Sequence, residues 1–348
     1  MKKTLLALTV AAVAATSAHA YTVVDYKDTG TKLDFSGSAR VTWDSTSEKN
    51  SQKKEHVNHA VSNNGSRFGF RLTQDLGNDF YALGRVEWRF RGTSSSQHDF
   101  DDIYTRQLYA GIGHKQYGEL TYGNQVVITD EVKRSDLPNK LSLTDGLVNT
   151  SARRSLQYVY NGIEGLKVGA YYGGSSKRGN TGLDLAENRE KVWGAGAIYN
   201  YKIDDVQSIE LSTGFTRELF KTSNETAYIA GAAYTYDKTT VGFDVARKTA
   251  KVLDSKTVNK EFTAVVYQEL TDRLRAYTQY SYKTEKATDE AKATTHEYLI
   301  GSEYQLVSKA DNPYVTAKTF VEASTSRTKV SGEKDRNNHV AIGLRVYW

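Results

Sequence analysis

The chain ends on Asn338-His-Val-Ala-Ile-Gly-Leu-Arg-Val-Tyr-Trp348, and the reading of this stretch decides the fold. In an extended backbone successive side chains point to opposite faces, so Val340, Ile342, Leu344, Val346 and Trp348 share one side. His339, Ala341, Gly343, Arg345 and Tyr347 share the other. One oily face, one mixed polar face and two final aromatics fit a membrane strand, with lipid on one side, water on the other and rings at headgroup level. Backbone in hydrocarbon has to be paired, so such a strand belongs to a closed barrel. Taken alone, the segment fits an amphipathic strand of a soluble sandwich equally well.

The opposite end of the chain and its composition separate those two readings. Met1-Lys2-Lys3 is a basic start, Leu5–Ala15 an apolar run, and Ala18-His19-Ala20 an A-x-A cleavage site. This is the pattern of a secretory signal peptide over 1–20, which leaves a mature chain over 21–348. The apolar run is too short to span a bilayer as a helix, and no later stretch is long enough. With no cysteine, disulfides and thiol nucleophiles are excluded. The formal charge of +5 falls to +3 once Lys2 and Lys3 are removed, which gives no footprint for nucleic acid. Hydrophobic residues are 39%, yet there are 24 Tyr, 27 Gly and only two Pro. That is too little oil for a soluble chain of this length and too much tyrosine and alternation for disorder. A wide barrel reconciles the two, because its outside alone needs to be apolar.

Alternating segments recur along the whole chain. Leu33, Phe35, Gly37, Ala39, Val41 and Trp43 oppose Asp34, Ser36, Ser38, Arg40 and Thr42. Phe68, Phe70 and Leu72 oppose Arg67, Gly69, Arg71 and Thr73; Ala82, Gly84, Val86, Trp88 and Phe90 oppose Arg85, Glu87, Arg89 and Arg91. Thirteen further segments, Tyr104–Gly113, Glu119–Val127, Arg153–Tyr160 and so on to the final strand, bring the count to sixteen. Short turns such as Asp75–Asp79, Asn161–Gly165 and Asp237-Lys238 follow even strands. Longer polar loops, Ser45–Asn64, Gly92–Asp102, Ser175–Asn188, Thr284–Thr294 and Arg327–Asn337, follow odd ones. Tyr158-Val-Tyr160, Tyr199-Asn-Tyr201 and Tyr234-Thr-Tyr236 each set two tyrosines on one face before a short turn, as an interfacial girdle would. The expected fold is all-β: a transmembrane antiparallel β-barrel of 16 strands forming a single domain.

Val127–Ser151 breaks this rhythm. It carries Pro138 and mixes Ile128, Val132, Leu137, Leu141, Leu143 and Leu147 with charges. A loop with an apolar side needs a surface to pack on, and in a wide barrel that surface is the inner wall. The third long loop is therefore expected to fold into the lumen, with a helix-like loop outside the barrel as the other reading.

Ser66-Arg67-Phe68-Gly69-Phe70, Glu87-Trp88-Arg89-Phe90, Thr105-Arg106-Gln107-Leu108-Tyr109-Ala110-Gly111 and Tyr122-Gly123-Asn124-Gln125, with the aromatic C-terminus, occur in this order from end to end. In them the chain resembles the Gram-negative general outer-membrane porin family, most of all its Pasteurellaceae-type major porins. The resemblance implies a homotrimer of sixteen-stranded barrels in the bacterial outer membrane, among lipid and lipopolysaccharide. It also implies passive passage of ions and small hydrophilic solutes through a charged constriction. Arg67 and Arg106 match wall arginines of the family's motifs. Arg40 lies two residues beyond Ser38, which occupies the aligned basic site, and Arg153 or Arg154 falls where another wall arginine is expected. Asp130, Glu131 and Asp136 are the candidate loop acids. Asn139 stands where the family usually has an acid and Lys140 follows, so a cation preference does not carry over.

Signals for chemistry are sparse. There is no Gly-x-Ser-x-Gly elbow. His56/His59 in a polar loop is weak metal spacing, and Asp99, Asp101 and Asp102 read as a solvated loop or charged latch. Gly194-Ala-Gly196 lies inside a strand without the helix a dinucleotide site requires. No cofactor and no metal is expected. An outer-membrane enzyme barrel and a non-conducting adhesin or structural barrel are the rival classes to a pore.

Overall fold

The computed structural model of the chain describes residues 21–49, 54–58, 61–90, 103–175 and 189–348. The leader pattern over 1–20, the acids Asp99, Asp101 and Asp102, His59 and most of the Ser175–Asn188 loop lie outside the described residues. Nineteen paired segments form one antiparallel sheet; three of them are short pieces along the first long strand, which leaves sixteen barrel strands. These are β1 (Thr31–Lys49), β2 (Arg67–Gly77), β3 (Phe80–Phe90), β4 (Ile103–His114), β5 (Gly118–Val126), β6 (Ser151–Ile163), β7 (Leu166–Gly173) and β8 (Arg189–Lys202). They continue as β9 (Gln207–Phe220), β10 (Ser223–Tyr236), β11 (Thr239–Val252), β12 (Ser255–Glu269), β13 (Leu274–Ala287), β14 (Ala293–Val307), β15 (Thr316–Val330) and β16 (Glu333–Tyr347). Each pairs with the next, and β16 pairs back onto β1, so the sheet is closed.

Closure is made at a seam. One edge of β1 takes β16 over Ser38–Lys49 and the N-terminal strand Tyr21–Tyr26 over Thr31–Phe35. Gly37 and Trp348 exchange backbone hydrogen bonds of 2.8 and 3.1 Å where the two meet. Gly37 is required there, because a Cβ would stand 2.5 Å from the Trp348 indole nitrogen.

The alternation read in the sequence sorts the faces. On β16, Val340 and Ile342 are 40% and 48% exposed, while Ala341 and Arg345 between and beyond them are 0% and 5% exposed. The outward face is thus the oily one, and the inward face is covered. Cross-strand rings add to it, with Phe35 5.0 Å from Phe70 and Phe68 5.3 Å from Trp88; such pairs contribute about 0.2–1 kcal/mol each beyond alanine. Tyr158, Tyr199, Tyr201, Tyr234 and Tyr236 are exposed in a row beside the short turns, as the girdle reading requires.

The turns at the girdle end are tight. Asn78 and Asp79 join β2 to β3 with φ of 51° and 63°, a left-handed pair that matches the twist of a hairpin. The opposite end differs from expectation. Arg327–Asn337 reads as a loop, yet Val330 pairs with Glu333 around Ser331-Gly332, so β15 and β16 run on almost unbroken. Thr284–Thr294 is shortened in the same way, and Lys221-Thr222 and Leu253-Asp254 are two-residue connections after odd strands. Beyond the hydrocarbon both faces of a strand meet water, so the two-residue hydrophobic period disappears while backbone pairing persists.

Candidate pore site

Val127–Thr150 begins with a short 3-10 turn, Ile128–Glu131, and then runs along the inner wall. Its apolar residues pack there. Val127, Ile128, Val132 and Val148 join Tyr171, Val192, Ile198, Ala227, Ile229 and Ala246 of β7 to β11 in one buried cluster. Leu141 and Leu143 join Tyr267, Tyr277, Leu299 and Ala341 of β12 to β16 in a second. Glycines on the wall make room for the loop: a Cβ on Gly196 would sit 3.2 Å from Ile128 and Val132, and one on Gly242 2.5 Å from the Arg134 carbonyl. Of Gly194-Ala-Gly196, Gly196 is part of this trough, Gly194 makes room for the Tyr171 ring, and Ala195 between them faces outward.

The loop's backbone is held by wall carboxylates. Asp244 on β11 accepts from the N–H groups of Arg134 and Ser135 (2.7–3.0 Å) and from the Ser135 hydroxyl (2.6 Å). Glu322 on β15 accepts from the N–H groups of Asn139, Lys140 and Leu141 at 2.5–2.9 Å. Glu261 on β12 accepts from Asp145 at 2.9 Å and Gly146 at 3.2 Å, and Gln279 on β13 from Leu143 at 2.7 Å. Arg345 donates to the Asn139 carbonyl. A structureless loop carries many backbone donors, and each buried one needs a partner. Charged acceptors satisfy several at once and are the stronger kind.

A second cluster lies on β1 to β4. Glu87 on β3 is buried among four arginines, at 3.1 Å from Arg85, 3.3 Å from Arg106, 3.8 Å from Arg89 and 3.9 Å from Arg67. Register brings them together: Arg67 stands opposite Arg89, Gly69 opposite Glu87, and Arg71 opposite Arg85. A bulge between β3 and β4 pairs Glu87 with Gln107 and Trp88 with Thr105, which leaves Arg106 unpaired in the ladder and aimed at Glu87. Arg40 on β1 is buried 5.3 Å over the Tyr347 ring, donates to the Ser38 hydroxyl at 3.1 Å, and lies within electrostatic reach of Glu87 and Arg89. Five guanidinium groups thus gather near one carboxylate.

The loop acids are distributed differently. Asp130 is within electrostatic reach of Arg106, with no direct ion pair between them among the described residues. Burial pushes its carboxyl above the usual carboxylate range, against the pull of Lys133 and Arg106. Glu131 pairs with Lys167 at 2.6 Å and Asp136 with Lys133 at 2.9 Å. Asp145 pairs with Lys283 at 2.7 Å.

The predicted residues therefore fall into groups. Arg40, Arg67 and Arg106 come together at Glu87, and Asp130 is near Arg106. Glu131 and Asp136 are exposed on the loop beside their own lysines. Arg153 is half-buried near Arg189, itself held 2.6 Å from Glu218, while Arg154 is exposed at a bulge with φ 46°. Sequence reading missed Glu87, Arg85 and Arg89 as site residues, although it placed them on the inner face. It also missed Asp244, Glu261 and Glu322. For two of them the signal was available, Asp244 lying between Phe243 and Val245 and Glu322 between Val321 and Ala323 on the inward face; Glu261, between Lys260 and Phe262, had no such contrast.

These features define an outer-membrane pore barrel, and comparison with known proteins agrees. The Gram-negative porin family matches residues 7–326, and the chain belongs to it. It is 29% identical to the "Major outer membrane protein" of Pasteurella multocida strain Pm70, over all of both chains. Among solved structures, OmpT of Vibrio cholerae, also solved in a trimer form, superposes with a TM-score of 0.67 over 91% of this chain and 99% of that one, at 17% identity. The anion-selective porin from Comamonas acidovorans gives 0.65 over 90% and 99%, at 14% identity. Salmonella typhi OmpF, in complex with daunomycin, gives 0.61 over 92% and 100%, at 16%. At such identities the structural likeness speaks for the fold. The chain is a general porin of the outer membrane.

Proposed function

We propose that solutes cross between the loop Val127–Thr150 and the arginine wall of β1 to β4, and that this gap is the charged constriction of the pore. Arg40, Arg67, Arg85, Arg89 and Arg106 supply its positive side, and Asp130, Glu131 and Asp136 its negative side. The observation that carries the reading is that Glu87 is shared by four arginines. Positive charge is left over on the wall, whereas two of the three loop acids have a lysine beside them. Charges lining a narrow, low-dielectric passage bias which ions enter, so the pore favours small anions and anionic or dipolar hydrophilic solutes. Arg153 sits near the loop base and Arg154 outside the constriction.

Passage is passive, and no side chain is assigned a catalytic role or a cofactor. The leader over 1–20 is removed on export, and 21–348 forms one barrel domain. Three copies assemble side by side in a membrane of lipid and lipopolysaccharide. Reversal potential in a salt gradient across a planar bilayer tests the reading. An anion-directed potential is expected, and replacing Arg67 and Arg106 by Gln should move it toward cations. A cation-directed potential in the parent, or no movement in the double variant, would remove these groups from the constriction.

A further inference from the structure

Above the third loop, on the side away from the short turns, the lumen wall holds a recess that the constriction does not use. It is a cavity of about 300 Å³ between the loop segment Lys140–Leu143 and strands β14 to β16. Register places its wall residues on the inward face. Glu297 on β14 stands opposite Ser326 on β15, and Ser326 opposite Asn337 on β16; one step lower, Ser324 stands opposite His339. They continue the period of the buried Leu299, Glu322 and Ala341 with no register shift between.

The wall side is rich in acceptors, and one of them is unmet. Asn337 donates through Nδ2 to Glu48 at 3.1 Å, which leaves its Oδ1 buried with no hydrogen-bond partner. A buried acceptor without a donor is costly, so the site gains from a ligand that brings one. Glu297 adds a carboxylate, held by Lys283 at 2.8 Å. Among the described residues no hydrogen bond engages the Ser324 or Ser326 hydroxyl. The floor is different. Its backbone is fixed, with the N–H groups of Lys140 and Leu141 on Glu322 and that of Leu143 on Gln279. The Lys140 ammonium, however, has no carboxylate partner among the described residues. Floor and rim stand apart: Glu322 and Ser326 are separated by about 13 Å along their strand, and Lys140 lines the interval.

We propose that this recess binds the zwitterion of a dipeptide, its carboxylate on Lys140 and its ammonium among Glu297, Ser326 and Asn337. The inference rests on the reading of the lumen as a path for dipolar solutes and adds a binding step to it. An extended dipeptide is about 7 Å long, which suits a base at the floor and acceptors at the rim. Hydrogen bonds to an ionised group at each end are the stronger kind. A sugar fits less well, because no Phe, Tyr or Trp lines the recess as a platform for its ring. A simple anion fits less well too, because Glu297, Asp145 and Asp44 outnumber Lys140 and Lys283 around it.

The test is the initial rate at which labelled dialanine enters lipid vesicles holding the protein. Two further probes are compared: N-acetyl-dialanine amide, which carries neither charge, and glucose. Entry of dialanine should saturate with concentration, while entry of the other two rises in proportion. Lys140→Gln, and separately Glu297→Gln/Asn337→Ala, should raise the half-saturating concentration about tenfold. Lys248→Gln, on β11 and paired with Glu225 away from the recess, should leave it unchanged. A proportional rate for dialanine in the parent, equal saturation by the uncharged peptide or by glucose, or unchanged half-saturation in both variants would overturn the proposal. Reversal potential of the same preparations reports on the constriction separately. Proportional dialanine entry through an anion-preferring pore removes the recess alone, whereas saturable entry through a cation-preferring one removes the constriction reading alone.

Discussion

Glu87 illustrates how one side chain decides the character of a pore wall. Four arginines approach it within 3.1–3.9 Å, and it is 4% exposed. Removing one partner from a buried charged group costs more than forming the pair yields, because the remaining charges stay desolvated. Glu87→Gln should therefore lower stability by about 3 kcal/mol, read as a lower urea midpoint in lipid vesicles, and should strengthen anion preference. A change toward cations would contradict the proposed wall. Asp130 gives the corresponding test by pH. Burial raises its carboxyl above the usual range, so on acidification it loses its charge before an exposed carboxylate does. Anion preference should then begin to rise at a pH above that range, and Asp130→Asn should abolish this early step. The arginines were legible as inward residues from the period of two, but not their convergence on Glu87. That depends on which strand lies beside which and on the bulge that turns Arg106.

At the scale of elements, the third loop is held by the wall more than by itself. Asp244, Glu261 and Glu322 together accept from seven backbone N–H groups of the loop. Asp244→Asn/Glu322→Gln exchanges charged acceptors for weaker neutral ones. Single-channel records of this variant should show larger and noisier steps, as the loop leaves the wall part of the time; an unchanged record would mean the apolar clusters alone retain it. Gly242→Val should act from the other direction, since its side chain would meet the Arg134 carbonyl that now lies 2.5 Å from the Cβ position. That the loop packs inward could be argued from Ile128, Val132, Leu141 and Leu143, which have nowhere else to go. The acids that hold it could not, because each lies more than a hundred residues away along the chain.

At the scale of the whole molecule, the barrel depends on its seam. β16 and the N-terminal strand share one edge of β1, and Trp348 fills the space left by Gly37. Trp348→Ala should cost about 3–5 kcal/mol, the usual range for losing a large packed ring. The loss should appear as a lower temperature for conversion of the compact barrel to the unfolded form on semi-native gels. Equal conversion temperatures would show that closure relies on the backbone ladder alone. The same global view explains the outside of the protein, where a row of exposed tyrosines beside the short turns borders an apolar band.

What the amino-acid sequence determined by itself was the class of fold, the number of strands to within two, and the face each residue takes outside Tyr104–Val127 and Val315–Ala323. A strand in a membrane obeys a local rule, apolar out and polar in, and that rule repeats every two residues. It stopped being readable where lipid ended, as Arg327–Asn337 shows, because water on both faces imposes no period. Only the tertiary structure decided which inward charges meet, since register, bulges and the path of the third loop bring together residues that no spacing relates. Glu87 with its arginines and the wall acids under the loop both belong to that second kind.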